Sequence, residues 1–172
     1  MKIRTRVGAA LTAILLGIGG AVALATPAAA STYGPFQLRH SSQYCLEVPS
    51  ADAGAQLIIS YCGGSGTHSQ HFRFEDTGGG PWQYFIHTEY NNMCLMPGAP
   101  GLYNSTIIQW PCGGLDGQHW ILGFPNEQPN LRNLYNIYKG YCADNLQDLP
   151  FTYVKQMNCY PEGWFMLTSM PD

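Results

Sequence analysis

A chain of 172 residues is long enough for one domain with a substantial core, and its 45% apolar content places it among globular proteins rather than disordered ones. Eight Lys and Arg stand against eleven Asp and Glu, a formal charge of −3. That balance argues against a phosphate-backbone binder, whose affinity rests on clustered cations.

Residues 1–30 run from a basic stretch (Lys2, Arg4, Arg6) through an apolar one (Ala9 to Ala25) to Ala28-Ala29-Ala30. This order is that of a secretory signal peptide. Gly17, Gly19 and Gly20 interrupt the apolar stretch and Thr26-Pro27 ends it, which suits cleavage after Ala30 better than a permanent membrane span. Cleavage would leave residues 31–172 as one secreted, extracellular domain. Losing Lys2, Arg4 and Arg6 while keeping all eleven acids would take the formal charge from −3 to −6. Nucleic acid and membrane surfaces are therefore not expected partners.

All six cysteines fall in the exported part, at Cys45, Cys62, Cys94, Cys112, Cys142 and Cys159. An even count outside the cell reads as three disulfides, and six cysteines allow fifteen connectivities. The gaps 45 to 62, 94 to 112 and 142 to 159 are 17, 18 and 17 residues, so the spacing selects one bridge within each of three units.

Overlaying the first cysteine of each pair gives offsets of 49 and 48 residues and defines repeats at about 33–80, 81–130 and 131–172. The first repeat opens with Phe36-Gln37-Leu38-Arg39-His40, a turn at Ser41-Ser42-Gln43, and Tyr44-Cys45-Leu46-Glu47-Val48. The second has Tyr84-Phe85-Ile86-His87 followed by Met93-Cys94-Leu95-Met96. The third has Leu134-Tyr135-Asn136-Ile137, a bend at Lys139-Gly140, and Tyr141-Cys142-Ala143-Asp144. Each pair of aromatic and β-branched runs flanking turn residues reads as a β-hairpin. A second hairpin begins before each closing cysteine, at Leu57-Ile58-Ile59, Thr106 to Trp110 and Tyr153 to Met157. The repeats end on Gln70-His71-Phe72, Gln118-His119-Trp120 and Glu162-Gly163-Trp164. Four short strands per repeat predict an all-β fold of about twelve strands with almost no helix, since no sustained 3.6-residue apolar period occurs. Three such units close into a barrel capped by hairpins, whereas a solenoid of the same units would leave both end faces bare.

These residues resemble the ricin B-type lectin β-trefoil, whose units carry Cys-Leu-Asp-Val, a strand ending Gln-x-Trp-x-Cys and a closing Gln-x-Trp. The nearest matches are Cys45-Leu46-Glu47-Val48, Trp110-Pro111-Cys112-Gly113 and Gln118-His119-Trp120. The resemblance covers the chain from about Tyr33 to Leu167. Phe72 replaces Trp and comes two residues late, while Trp164 comes early behind Glu162 instead of Gln. All three closing aromatics, Phe72, Trp120 and Trp164, are expected in the core.

The family resemblance implies sugar binding by a carboxylate two residues after a unit's first cysteine, an aromatic two residues before its second, and nearby amides. Hydroxyls need a fixed charged acceptor and the apolar face of a pyranose stacks on a ring. The first repeat offers Glu47 but Ser60 in the aromatic position. The second offers Trp110 and Gln109 but Met96 for the carboxylate. The third offers Asp144 and Gln156 but Met157 for the ring. No unit is complete by itself. The expected carbohydrate-binding residues are thus Asp144, Gln156, Trp110, Gln109 and Glu47, and the expected partner is a glycan or polysaccharide. Asp144 before Asn145 also reads as a turn residue, Trp110 as a packed ring and Glu47 as a solvated charge.

The alternative is a trefoil that has lost sugar binding and holds a secreted protein, as an interaction or inhibitor-like domain, through loops such as Asn145 to Phe151 or Pro97 to Asn104. No nucleophile-elbow pattern or paired acids point to an enzyme. His68 and His71 lack a third ligand, so neither a metal nor another cofactor is expected.

Overall fold

The computed structural model describes residues 31–39, 41, 43–63, 68–123, 131–145, 149–159 and 165–167. The leader expected over 1–30 and the expected core residue Trp164 lie outside the described residues. The first repeat forms β1 (Thr32–Arg39), β2 (Tyr44–Glu47), β3 (Ile58–Tyr61) and β4 (His71–Asp76). The second forms β5 (Gln83–Thr88), β6 (Cys94–Pro97), β7 (Ile107–Trp110) and β8 (His119–Gly123). The third forms β9 (Leu131–Asn136), β10 (Tyr141–Asp144), β11 (Thr152–Tyr153), β12 (Lys155–Met157) and β13 (Phe165–Leu167). Helix among the described residues is confined to two single 3₁₀ turns, His68–Gln70 and Asp116–Gln118. None is long and apolar enough to cross a membrane.

Six strands close a barrel by antiparallel pairing in the order β1, β4, β5, β8, β9, β13 and back to β1. Closure removes the sheet edges that an open array would expose. Period-2 alternation aims one face of each strand inward. β4 buries Phe72 and Phe74, β5 buries Tyr84 and Ile86, and β8 buries Trp120 and Leu122. The indole N–H of buried Trp120 donates to the Leu95 carbonyl at 2.8 Å, so the ring both fills the core and satisfies the β6–β7 hairpin of its own unit. The hairpins β2–β3, β6–β7 and β10–β12 cap one end. Each is tied by its own bridge, Cys45–Cys62, Cys94–Cys112 and Cys142–Cys159.

The cap shows why three copies are needed. Leu57, Ile107 and Val154, each five residues before its second cysteine, are fully buried and close a triangle of backbone bonds. The Leu57 N–H donates to Ile107 O at 2.8 Å, Ile107 N–H to Val154 O at 2.9 Å, and Val154 N–H to Leu57 O at 2.9 Å. No single unit can satisfy these buried groups, and leaving them unpaired would cost about 1–3 kcal/mol each. One residue earlier, each chain pairs with the following unit, Gln56 with Ile108, Thr106 with Lys155 and Tyr153 with Ile58. This exchange divides the third unit's strand at Val154 into β11 and β12, giving thirteen strands among the described residues against the dozen expected.

Candidate functional site

The closing glutamines explain how a carboxylate position is built. Gln70 is buried, its amide donating to the Tyr61 carbonyl at 2.8 Å and accepting from the Gly63 N–H at 2.7 Å. Gln118 does the same with Pro111 O at 2.8 Å and Gly113 N–H at 3.0 Å. Each clamps the two residues flanking a bridging cysteine. The remaining reach of the amide turns toward the position two residues after the first cysteine. In the first unit Gln70 Nε2 donates to Glu47 Oε2 at 3.0 Å, with the Ser69 hydroxyl on Oε1 at 3.4 Å. In the second, Gln118 Nε2 meets Met96 Sδ at 4.0 Å, so that unit keeps the clamp and lacks the charge it would hold.

Gln109 and Gln156 depart from the expectation that they face a ligand, because both side chains are fully buried. Gln109 Nε2 donates to Ser50 O at 2.8 Å and Asp52 O at 2.7 Å, and its Oε1 accepts from the Thr88 hydroxyl at 3.3 Å. Gln156 Nε2 donates to Ala99 O and Leu102 O, both at 3.2 Å. Each amide thus pins the loop of the preceding unit. In the first unit the equivalent residue is the apolar Ile59, also fully buried.

The other expected residues fall on separate hairpins. Glu47 is half-buried on β2 in register with Ile58. Trp110, exposed at the end of β7, lies against the first unit's loop, where a Cβ on Gly54 would stand 3.8 Å from its ring. Asp144 is buried at the end of β10, in register with Lys155, and its Oδ1 accepts the Asn145 N–H at 2.6 Å.

Asp144 borders a hollow of about 280 Å³ whose walls include Asn104, Asn145, Phe151, Tyr153, Lys155 and Met157. Asn145 is held by its own amide, Nδ2 donating to the Thr152 hydroxyl at 2.7 Å and to Tyr153 O at 3.0 Å. Asn104 comes from the second unit, its N–H bonded to Gln156 O at 2.7 Å. Polar groups therefore converge beside two exposed rings, Phe151 and Tyr153. The expected ring position, Met157, is filled by a thioether, and the rings come instead from Phe151, just ahead of β11, and from Tyr153 on β11. Sequence reasoning placed Phe151 only at the end of a variable loop. Counting back from the second cysteine finds it: Gly54, Asn104 and Phe151 each stand eight residues before that cysteine. All three have left-handed backbone, with φ of +87°, +66° and +62°.

One set of metal-ligand types gathers among the described residues, His87 with Cys94 and Cys112. Their sulfurs form a bridge to each other, with His87 Nδ1 3.4 Å from Cys112 Sγ and His87 Nε2 2.9 Å from Glu75 Oε2. A disulfide offers no thiolate to a cation. His68 lies 3.6 Å from Glu89 on the surface.

The geometry meets its relatives here. Residues 33–148 match the model of the ricin-type β-trefoil lectin domain. The chain belongs to that family. Among solved structures it is similar to the designed threefold-symmetric protein ThreeFoil, with a TM-score of 0.68, 23% identity, and coverage of 80% of this chain and 100% of that one. It is similar to the ricin B-like lectin of Macrolepiota procera in complex with lactose, with a TM-score of 0.63, 13% identity, and coverage of 83% and 97%. It is also similar to 1,3Gal43A, an exo-β-1,3-galactanase from Clostridium thermocellum, with a TM-score of 0.67, 19% identity, and coverage of 77% of this chain but 29% of that one. No curated protein matches the chain. At these identities the solved structures establish the fold alone, and the likeness to the enzyme spans less than a third of its chain.

Proposed function

We propose that this ricin-type lectin domain is a secreted, non-catalytic module that binds a glycan or polysaccharide, with its principal site at Asp144 in the third unit. The observation that carries the reading is the hollow in which a buried carboxylate, two asparagines and two exposed rings converge. Asp144 supplies the charged acceptor for ligand hydroxyls, Asn104 and Asn145 fix orientation, and Phe151 and Tyr153 offer apolar faces to a pyranose. The lactose bound by the Macrolepiota procera lectin supports a sugar as the ligand class. Gln109 and Gln156, buried against neighbouring loops, belong to the scaffold, and Trp110 stands apart, in the unit that has Met96 at the carboxylate position.

The test is retention of the exported chain on immobilised glycans, lactose included, and on insoluble polysaccharides. Asp144→Asn should abolish retention while leaving the fold, and Trp110→Ala should change it little. If Trp110→Ala abolishes retention and Asp144→Asn does not, the site belongs to the second unit. If no glycan is retained while a secreted protein co-purifies, the protein-interaction alternative replaces this one. Localisation is checked by finding the cleaved chain, beginning at Ser31, in culture medium.

A further inference from the structure

We infer that the third and first units share one extended site across their seam, so that the ligand is an oligosaccharide segment of a longer glycan and not a single sugar unit; this rests on the glycan-binding reading above. Tyr153 has a carboxylate position to either side. Asp144 borders the hollow whose wall includes Phe151 and Tyr153. On the other side, β11 pairs with β3 and β3 with β2, placing Tyr153, Ile58 and Glu47 in one cross-strand row. Residues directly opposite on adjacent strands share a face, so Tyr153 and Glu47 look out on the same side with Ile58 between them. Two strand spacings separate them, about 10 Å. Glu47 is half-buried and oriented by Gln70 and Ser69, the arrangement of a carboxylate fixed in advance. A carboxylate has room for about four hydrogen bonds, and those two donors leave capacity for a ligand.

Phe151 meets Tyr61 of the first unit edge to face, with centroids 6.1 Å apart. Tyr61 in turn lies 5.4 Å from Tyr44. Phe151, Tyr61 and Tyr153 are nonetheless 67%, 56% and 51% exposed. The molecule's own pseudosymmetry supplies the control. Where the third unit has Phe151 and Tyr153, the first has Gly54 and Gln56 and the second Asn104 and Thr106. Gly and Asn are the residues a left-handed backbone favours, and Phe is not. An exposed aromatic in that conformation costs about 1–3 kcal/mol, and such outliers cluster at ligand clamps. A ring shared by two carboxylate positions makes the sites continuous, so a chain engaging Asp144 passes over Phe151 and Tyr153 toward Glu47.

Titration calorimetry with β-1,3-galactan, cellulose and chitin oligosaccharides, each from dimer to hexamer, tests this. The expected result is one ligand per chain at this seam and a rise of about tenfold in affinity between dimer and hexamer of the bound series. Glu47→Gln should remove most of that rise and leave dimer affinity within about twofold. Phe151→Asn, which installs the second unit's residue with its backbone preference intact, should weaken both lengths. Equal affinities for dimer and hexamer overturn the inference and leave the glycan reading standing, as does a stoichiometry of two with Glu47→Gln and Asp144→Asn each deleting one site. No binding by any series overturns both.

Discussion

Replacing Gln109 with Ala separates a scaffold role from a ligand role at a residue whose position invites either. The native amide makes two bonds to loop carbonyls, at 2.8 and 2.7 Å, and accepts a longer one from Thr88 at 3.3 Å. At about 1 kcal/mol net per buried bond, and less for the longest, these contribute about 2–3 kcal/mol. Loss of a buried methylene adds about 1 kcal/mol. A domain of about this size loses roughly 3 °C of Tm per kcal/mol, so Gln109→Ala should melt about 10 °C below the parent by calorimetry. Gln156→Ala removes two bonds of 3.2 Å and should fall by less, about 6–8 °C. Lactose or polysaccharide retention, measured well below both midpoints, should change by less than about threefold for Gln109→Ala. A Gln109→Ala variant melting within about 3 °C of the parent, with retention gone, refutes the reasoning and returns that amide to the ligand.

Trp120→Phe swaps in the aromatic that the first unit carries at Phe72. It should cost about 2 kcal/mol by calorimetry, because the Leu95 carbonyl loses its 2.8 Å indole partner inside the core. The three bridges close segments of 17, 18 and 17 residues, so paired Cys→Ala variants at 45/62, 94/112 and 142/159 should each lose about 3 kcal/mol in denaturant titration. A pair variant losing less than about 1 kcal/mol refutes the chain-entropy account for that bridge.

The threefold frame was legible because its makers recur at fixed distances from the cysteines. Leu46 and Leu95 after the first cysteine, Leu57 and Ile107 before the second, and the glutamines Gln70 and Gln118 are the same chemistry doing the same task twice. The residues of the hollow beside Asp144 were less legible for a geometric reason. Their neighbours come from the adjacent unit, through contacts such as Asn104 N–H to Gln156 O and Gly54 N–H to Gln109 O. Alignment within units compares a residue only with its own counterparts, so it cannot show that Met157 and Asn104 line one hollow or that Trp110 lies against Gly54. The burial of Gln109 has the same origin. The type suits a sugar site, and only the loop carbonyls of Ser50 and Asp52 reveal what its amide holds.

The seam between the third and first units differs from the other two in that no peptide joins it directly, and it closes through β1 with β13 and β11 with β3. The ring contact of Phe151 with Tyr61 therefore admits a purely structural account, a clasp on the noncovalent joint. Backbone pairing weakens that account, because the joint is already made by the same bonds that close the other seams: Phe151 N–H to Ile59 O does there what Gly54 N–H and Asn104 N–H do elsewhere. Those seams hold with Gly and Asn in the same place. A clasp would also draw its energy from buried ring surface, at about 25 cal/mol per Å², whereas both of these residues are more than half exposed. An aromatic that the joint does not require, kept in a backbone conformation it disfavours and left largely uncovered, is better explained by what it meets outside the molecule than by what it holds within it.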